Sequence, residues 1–288
     1  MHRKILLAPA LTVFAVLGVS ALGPFAVRAS KSFAATSDEF HFAIRRPEAV
    51  SPSRPVVLEL FTSEGCSSCP PVEAFLKNLD DLGRVDDIEM IAIEEHVDYW
   101  DHLGWKDPFS SHDWTERQEQ YSHSFRHDGI YTPQLIVNGL RELVPKSANV
   151  VRETISEAAK APGADLQVSV TSASATTADF SITLSNIPAE VRSAELWLAV
   201  TERNLASNVL RGENQGRNLT HAAVLRKLTR VKFKPSNPAN SGEVKSSEVK
   251  TSVALDPSWK RENLRFVVFL QEPKTLHIFG AAASSLLR

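Results

Sequence analysis

Val56-Val57-Leu58-Glu59-Leu60-Phe61-Thr62-Ser63-Glu64-Gly65-Cys66-Ser67-Ser68-Cys69-Pro70-Pro71 decides how the rest of this chain is read. Val56 to Phe61 is a short apolar run with β-branched residues, the pattern of a buried strand. Thr62 to Gly65 makes a turn into Cys66-x-x-Cys69. Beyond it Val72, Phe75, Leu76 and Leu79 recur at helical spacing, one face of an amphipathic helix. Pro70 and Pro71 suit its first turn, where a missing N–H costs nothing, and Gly83 ends it.

Working outward, Ile88 to Ile93 is a second buried strand. Residues 95–130 form a long polar, aromatic insert with Trp100, Trp105 and Trp114 and five of the nine histidines. Within it Asp113 to Phe125 reads as a helix, with Asp113 and Glu116 as a capping pair. Gln134 to Val137 is a third strand. Asn138-Gly139 signals a hairpin, with Arg141 to Val144 returning. Ser147 is the expected N-cap of a helix to Lys160, and Pro162-Gly163 ends the segment.

This succession is the thioredoxin order: strand, turn, cysteine pair, helix, strand, then Thr132-Pro133 ahead of another strand and hairpin. A thiol attacks only as thiolate. A helix N-terminus offers N–H groups and a positive dipole end that would stabilise a Cys66 thiolate, and Cys69 can then close an intramolecular disulfide and release a partner. Thr132-Pro133 is the expected cis peptide beside the pair. His96 is a candidate proton shuttle for a cysteine; it equally suits hydrogen bonding to the Trp and Tyr tips of the insert.

Other readings of the pair stay open. Closing so short a loop removes little chain entropy, which disfavours a purely structural disulfide. An inert scaffold with a vestigial pair is one alternative. A soft-metal site is another, two thiolates plus His96 or His102 suiting Cu(I) or zinc, although one Cys-x-x-Cys is half a structural zinc site.

After Asp165 the pattern changes. Leu166–Val170, Ala178–Leu184, Ala194–Thr201, His221–Phe233, Val249–Leu255 and Leu264–Gln271 read as strands with no helix between them, an antiparallel β-sandwich-like domain. Residues 235–248 read as a polar, mobile loop. Arg211-Gly212-Glu213-Asn214-Gln215-Gly216-Arg217 is a loop whose charged residues suit a clamp between domains better than substrate recognition. Asn218-Leu219-Thr220 is a weak glycosylation match.

The N-terminus stands apart. His2, Arg3 and Lys4 precede an uncharged run from Ile5 to Val27, with small residues around Ala29: a secretory signal over residues 1–29. An uncleaved anchor is the alternative, against which Pro9 and Pro24 argue. The expected layout is a signal at 1–29, a linker at 30–54, a thioredoxin-like domain at 55–163 and a β-rich domain at 164–288. Removing Arg3, Lys4 and Arg28 takes the 32 basic residues to 29 against 34 acidic ones, a formal net charge of −5. That leaves no basic footprint for nucleic acid. Export places the two cysteines in an oxidising compartment, periplasmic or extracellular.

Glu59 to Pro71, His96-Val97-Asp98-Tyr99-Trp100-Asp101, Gly104-Trp105, Arg117-Gln118, Tyr131-Thr132-Pro133-Gln134, Gly212-Glu213-Asn214, Gly216, Gln271 and Gly280-Ala281 together resemble a family of secreted bacterial thioredoxin-like proteins, domain of unknown function 1223. The resemblance spans roughly residues 55–283. It implies a thioredoxin-like domain fused to a β domain, outside the cytoplasm, without implying an activity. The family motif carries Gln where Glu64 stands, and a carboxylate two residues from Cys66 opposes thiolate formation.

The expected function is thiol–disulfide exchange with exported proteins. Cys66 is the nucleophile, Cys69 the resolving thiol, Thr132 and Pro133 the substrate groove, and His96 the proton-transfer candidate. No organic cofactor is needed, and a membrane is met only through the N-terminal segment. The alternatives are a soft-metal carrier, with copper as the expected ion, and a non-catalytic envelope binding module that works through its β half.

Overall fold

The computed structural model describes residues 53–188, 191, 193–233 and 244–286, all within one compact unit of the chain. The expected signal segment and most of the linker lie outside the described residues. Among those described, no helix is long and apolar enough to cross a membrane.

The first half contains β1 (Val56–Thr62), α1 (Pro70–Leu82), β2 (Arg84–Val85), β3 (Ile88–His96), α2 (His112–Phe125), β4 (Gln134–Val137), β5 (Arg141–Leu143) and α3 (Ala148–Lys160). β1 runs parallel to β3 and antiparallel to β4, and β4 turns back into β5. Strand alternation sorts the side chains onto two faces. Leu58, Leu60, Met90 and Ala92 pack in one core with Leu76 and Leu79 of α1 and Val151 and Ile155 of α3. Val57, Ile91 and Ile93 pack with Trp114 of α2 on the other.

Helix ends follow local chemistry. Gly83 takes the left-handed conformation after α1, at φ 66°, and Ser147 caps α3 by accepting from Val150 N–H. The cap of α2 is a correction. Ser111, extended at φ −144°, accepts from Asp113 N–H, so Asp113 is a first-turn acid rather than the cap.

The second half adds β6 (Asp165–Ala173), β7 (Thr177–Ile187), β8 (Glu195–Asn208), β9 (Asn218–Val231), β10 (Val244–Ala254), β11 (Leu264–Gln271) and β12 (Ile278–Ser285). These strands do not make a separate sandwich. β8, β9, β11 and β12 extend the first sheet, giving a nine-stranded mixed sheet in which β9 lies beside β3. β10, β7 and β6 form a second, three-stranded sheet. Phe180, Ile182 and Leu184 of that sheet pack on Leu196, Leu198, Phe266 and Val268 of the first. The boundary expected at 163/164 therefore does not separate two sheets. Residues 235–243 of the expected loop lie outside the described residues, and residues 244–248 belong to β10, which pairs Val244 with Ile187 of β7.

The seam between halves is narrow. β3 and β9 share one parallel bridge, Glu94 with Val224, and the Glu94 side chain extends it by accepting Ala222 N–H at 3.0 Å. The candidate site is built around this seam.

Candidate functional site

Cys66 and Cys69 are joined in a disulfide and both are fully buried. They occupy the turn between the end of β1 and α1. Cys69 itself is the N-cap of α1, and Cys66 lies one turn earlier, its carbonyl accepting from Cys69 N–H at 3.3 Å. This corrects the picture of helix N–H groups aimed at Cys66. Pro70 and Pro71 have no N–H, and those of Val72 and Glu73 go to Cys69 O. The polar neighbour of Cys66 Sγ is Ser68 Oγ at 3.4 Å.

The register explains what else reaches this end of the sheet. Phe61 pairs with Gln134, which sets Thr132-Pro133 just beyond the end of β1. Their peptide bond is cis. Trp100 Nε1 donates to Thr132 Oγ1 at 2.9 Å, and Trp100 packs so closely on Gly65 that a Cβ there would lie 3.0 Å from the Trp100 Cβ. A side chain at Gly65 would thus press on Trp100 and require it to give way.

The β8–β9 hairpin supplies a cover. Its strands run to Asn208 and from Asn218, well past the apolar stretches Ala194–Thr201 and His221–Phe233 by which the sequence marks them. The turn it carries lies on the cysteine loop. Asn214 Nδ2 donates to both Glu64 O and Cys66 O, each at 2.9 Å. Glu213 Oε2 accepts from Ser67 N–H at 3.2 Å. Gly212, at φ 78°, lets the turn close on Trp105. Of the loop expected to act as a clamp, Glu213 and Asn214 are the residues that hold the cysteine turn.

Behind the disulfide lies a buried polar cluster. Glu94 and His96 share one face of β3, and His221 of β9 faces them; all three have no solvent exposure. His96 Nδ1 is 2.7 Å from Asp107 Oδ2, and Asp107 also accepts Glu64 N–H. His221 Nε2 is 3.1 Å from Glu64 Oε1, and Trp105 Nε1 donates to Glu64 Oε2 at 2.7 Å. Both Glu64 carboxylate oxygens are therefore engaged within this cluster. The imidazoles stack edge to face, 4.7 Å between centroids, and Phe109 packs on both.

Electrostatics follow from burial. Desolvation pushes the Glu94 carboxyl up to about 8, against the pull of His221. Desolvation also raises Glu73, one turn into α1. For His96 burial works downward, and the Asp107 carboxylate overrides it, leaving the imidazole above its ordinary value. Burial works upward on Asp107, and His96 with the Glu64 and Phe109 N–H groups holds it low.

Of the residues expected at the site, Cys66, Cys69, Thr132 and Pro133 lie at the same end of the central strands. His96 sits on the strand beside Thr62, with its hydrogen bond committed to Asp107. His102, the other histidine weighed for metal, is exposed in a short 3-10 turn. Sequence reasoning missed Glu94, Asp107 and His221, and read Glu64 only as a carboxylate opposing the Cys66 thiolate. The one available signal was three polar residues, Glu94-Glu95-His96, continuing the second strand.

The fold and site define a mixed α/β protein with a covered Cys-x-x-Cys disulfide at the end of a central strand of a wide sheet. The chain belongs to the family described as protein of unknown function (DUF1223), whose pattern it matches over residues 57–271. A solved protein of Agrobacterium tumefaciens is similar in fold: 21% identical, covering 83% of this chain and 100% of that one, with a TM-score of 0.61. HBP35 of Porphyromonas gingivalis is 16% identical over 82% of this chain and 76% of its own, with a TM-score of 0.59. No curated protein matches the chain.

Proposed function

We propose that this is an exported thiol–disulfide exchange protein of thioredoxin-like design, acting on thiols or disulfides of other exported proteins. The observation that carries the reading is the Cys66–Cys69 disulfide, closed between the end of β1 and the N-terminus of α1, at the end of the sheet that also holds Thr132-Pro133. The order β1, α1, β3, β4, β5, α3 supports the thioredoxin-like comparison. The N-terminal apolar run supports export.

In the reducing direction, Cys66 thiolate attacks one sulfur of a partner disulfide. The partner S–S bond breaks and a mixed disulfide forms. Cys69 thiolate then attacks Cys66 Sγ, the mixed bond breaks, and the partner leaves with two thiols while the Cys66–Cys69 bond forms. Two electrons and two protons pass to the partner; the reverse sequence oxidises it. Because both cysteines are buried, exchange requires the turn around Asn214 to lift from Cys66.

The soft-metal carrier finds less support, since both sulfurs are joined in the disulfide and His102 is exposed. Trapping tests the exchange reading. The Cys69→Ser variant, reduced and mixed with a disulfide-bonded model substrate such as oxidised insulin, is expected to accumulate a mixed disulfide at Cys66. A Cys66→Ser variant is expected to accumulate far less. Equal trapping by both variants, or none by either, contradicts the assignment.

A further inference from the structure

We infer that Glu94, His96 and His221 form a binding site for one borderline divalent metal ion of the zinc class. A ligand atom from each lies within 4.8 Å of the others. Tetrahedral ligands about 2.0–2.1 Å from zinc stand roughly 3.4 Å apart, so closing the site asks for side-chain movements of about 1 Å on that geometry. Two imidazole nitrogens and a carboxylate oxygen are a donor set that suits a borderline divalent ion rather than a soft monovalent one.

Three independent features converge on the same point. His96 Nε2, His221 Nδ1 and Glu94 Oε1 are all buried and all without a hydrogen-bond partner. A buried polar atom left unpaired is costly, and here three of them belong to one cluster. Each imidazole is also oriented from behind: Asp107 holds His96 Nδ1 and Glu64 holds His221 Nε2. That is the carboxylate–histidine arrangement which presents the opposite ring nitrogen to a metal. Finally, three carboxyl groups are gathered in this buried space. The hydrogen-bond partners of Glu64, Glu94 and Asp107 are two imidazoles, an indole and backbone N–H groups, with no Lys or Arg. Buried carboxylates of this kind are ordinarily paired or metal-bound.

Solvent comes near the cluster on one side: Phe109 lines a cleft of about 640 Å³ and packs on both imidazoles. The site also spans the seam, taking two ligands from β3 and one from β9. An ion would fasten the two halves of the sheet where they share a single backbone bridge. Its ligands exclude both cysteines, which separates it from the exchange reaction.

Calorimetric titration of the chelator-treated full chain with Zn²⁺, and of the same protein with Co²⁺ followed by visible absorption, tests this. One equivalent is expected, with a Co²⁺ spectrum lacking thiolate-to-metal bands. Glu94→Gln and His221→Gln are expected to weaken binding beyond the 10–100-fold that loss of a supporting carboxylate typically costs. The Cys66→Ser/Cys69→Ser double variant is expected to bind as the parent does. If the ligand variants fail to fold, zinc-edge absorption of the wild-type protein decides. Nitrogen and oxygen neighbours at about 2.0–2.1 Å support the site, and sulfur at about 2.3 Å contradicts it. A folded parent that takes up no ion, or a folded Glu94→Gln variant that binds unchanged, overturns the inference.

Discussion

Replacing Arg117 with Met is expected to remove about 3–5 kcal/mol of stability, the cost of leaving a buried charge without its partner. Arg117 rises from α2 into the sheet and is almost fully buried. Its Nε donates to Glu59 Oε1 at 3.0 Å and to Glu95 Oε1 at 3.4 Å, and its Nη1 donates to Gln271 Oε1 at 3.2 Å. Tyr121 donates to the other oxygen of Glu59, and Gln271 Nε2 donates to both Tyr121 Oη and Leu276 O. One guanidinium thus ties β1, β3, α2 and β11 together. Desolvation pushes Glu95 well above the usual carboxylate range, and Arg117 opposes it. Without Arg117 two acids face each other in apolar surroundings. Thermal unfolding should shift down by roughly 6–20 °C for a chain of this size. Adding Glu95→Gln to the Met variant is expected to recover part of the loss. A Met variant within 1 kcal/mol of the parent (about a fivefold change in the folding constant) would show that the network is not buried as described.

Gly139→Ala is expected to cost roughly 2–5 kcal/mol, adding the left-handed penalty of a non-glycine residue to a steric clash. Gly139 has φ 66°, and a Cβ there would lie 1.9 Å from Leu276 O. The contact is backbone to backbone, so no rotamer change relieves it. Its neighbour Asn138 stitches three segments: it donates N–H to Val57 O, accepts Val57 N–H through Oδ1 at 2.8 Å, and accepts Ile278 N–H. Gly83 supplies the control. It shares the φ of 66° and has nothing within 4 Å of its would-be Cβ, so Gly83→Ala should show the left-handed penalty alone, about 1–2 kcal/mol. Denaturant unfolding of both variants measures the difference. Equal losses would mean that the β4–β5 turn does not dock on the loop before β12.

Much of the first half was legible because its signals are local. The apolar run of β1, the helical spacing of Val72, Phe75, Leu76 and Leu79, the Asn138-Gly139 turn and the Ser147 cap each act within a few residues. The second half was legible as strands but not as an arrangement. Which strands join which sheet depends on long-range pairing, and β9 beside β3 is held by one bridge and the Glu94 carboxylate. β12 went unread because Ile278 to Ser285 is small and weakly patterned: Gly280 leaves room for Ala164 O, 2.1 Å from where its Cβ would stand. The ends of β8 and β9 are polar and half exposed, so their reach to the cysteine turn left little periodic trace. The site divides the same way. Cys66, Cys69 and Thr132-Pro133 announce themselves by motif. His221 is 125 residues beyond His96 in the numbering, and only the shared sheet brings the two together.

The central claim is that Cys66 and Cys69 exchange electrons with other thiols, and the reduction potential of the pair tests it most directly. The purified protein would be equilibrated across a glutathione series and its free thiols trapped and counted by mass. Cys66 receives no N–H from the first turn of α1 and Glu213 stands beside Ser67, so the reduced thiolate is weakly stabilised and the disulfide correspondingly favoured. The account predicts a potential near that of a reducing exchanger, about −270 mV, and above the roughly −300 mV below which structural disulfides lie. A pair that stays oxidised across the whole series would contradict the account and leave Cys66–Cys69 as a fixed crosslink in a binding module.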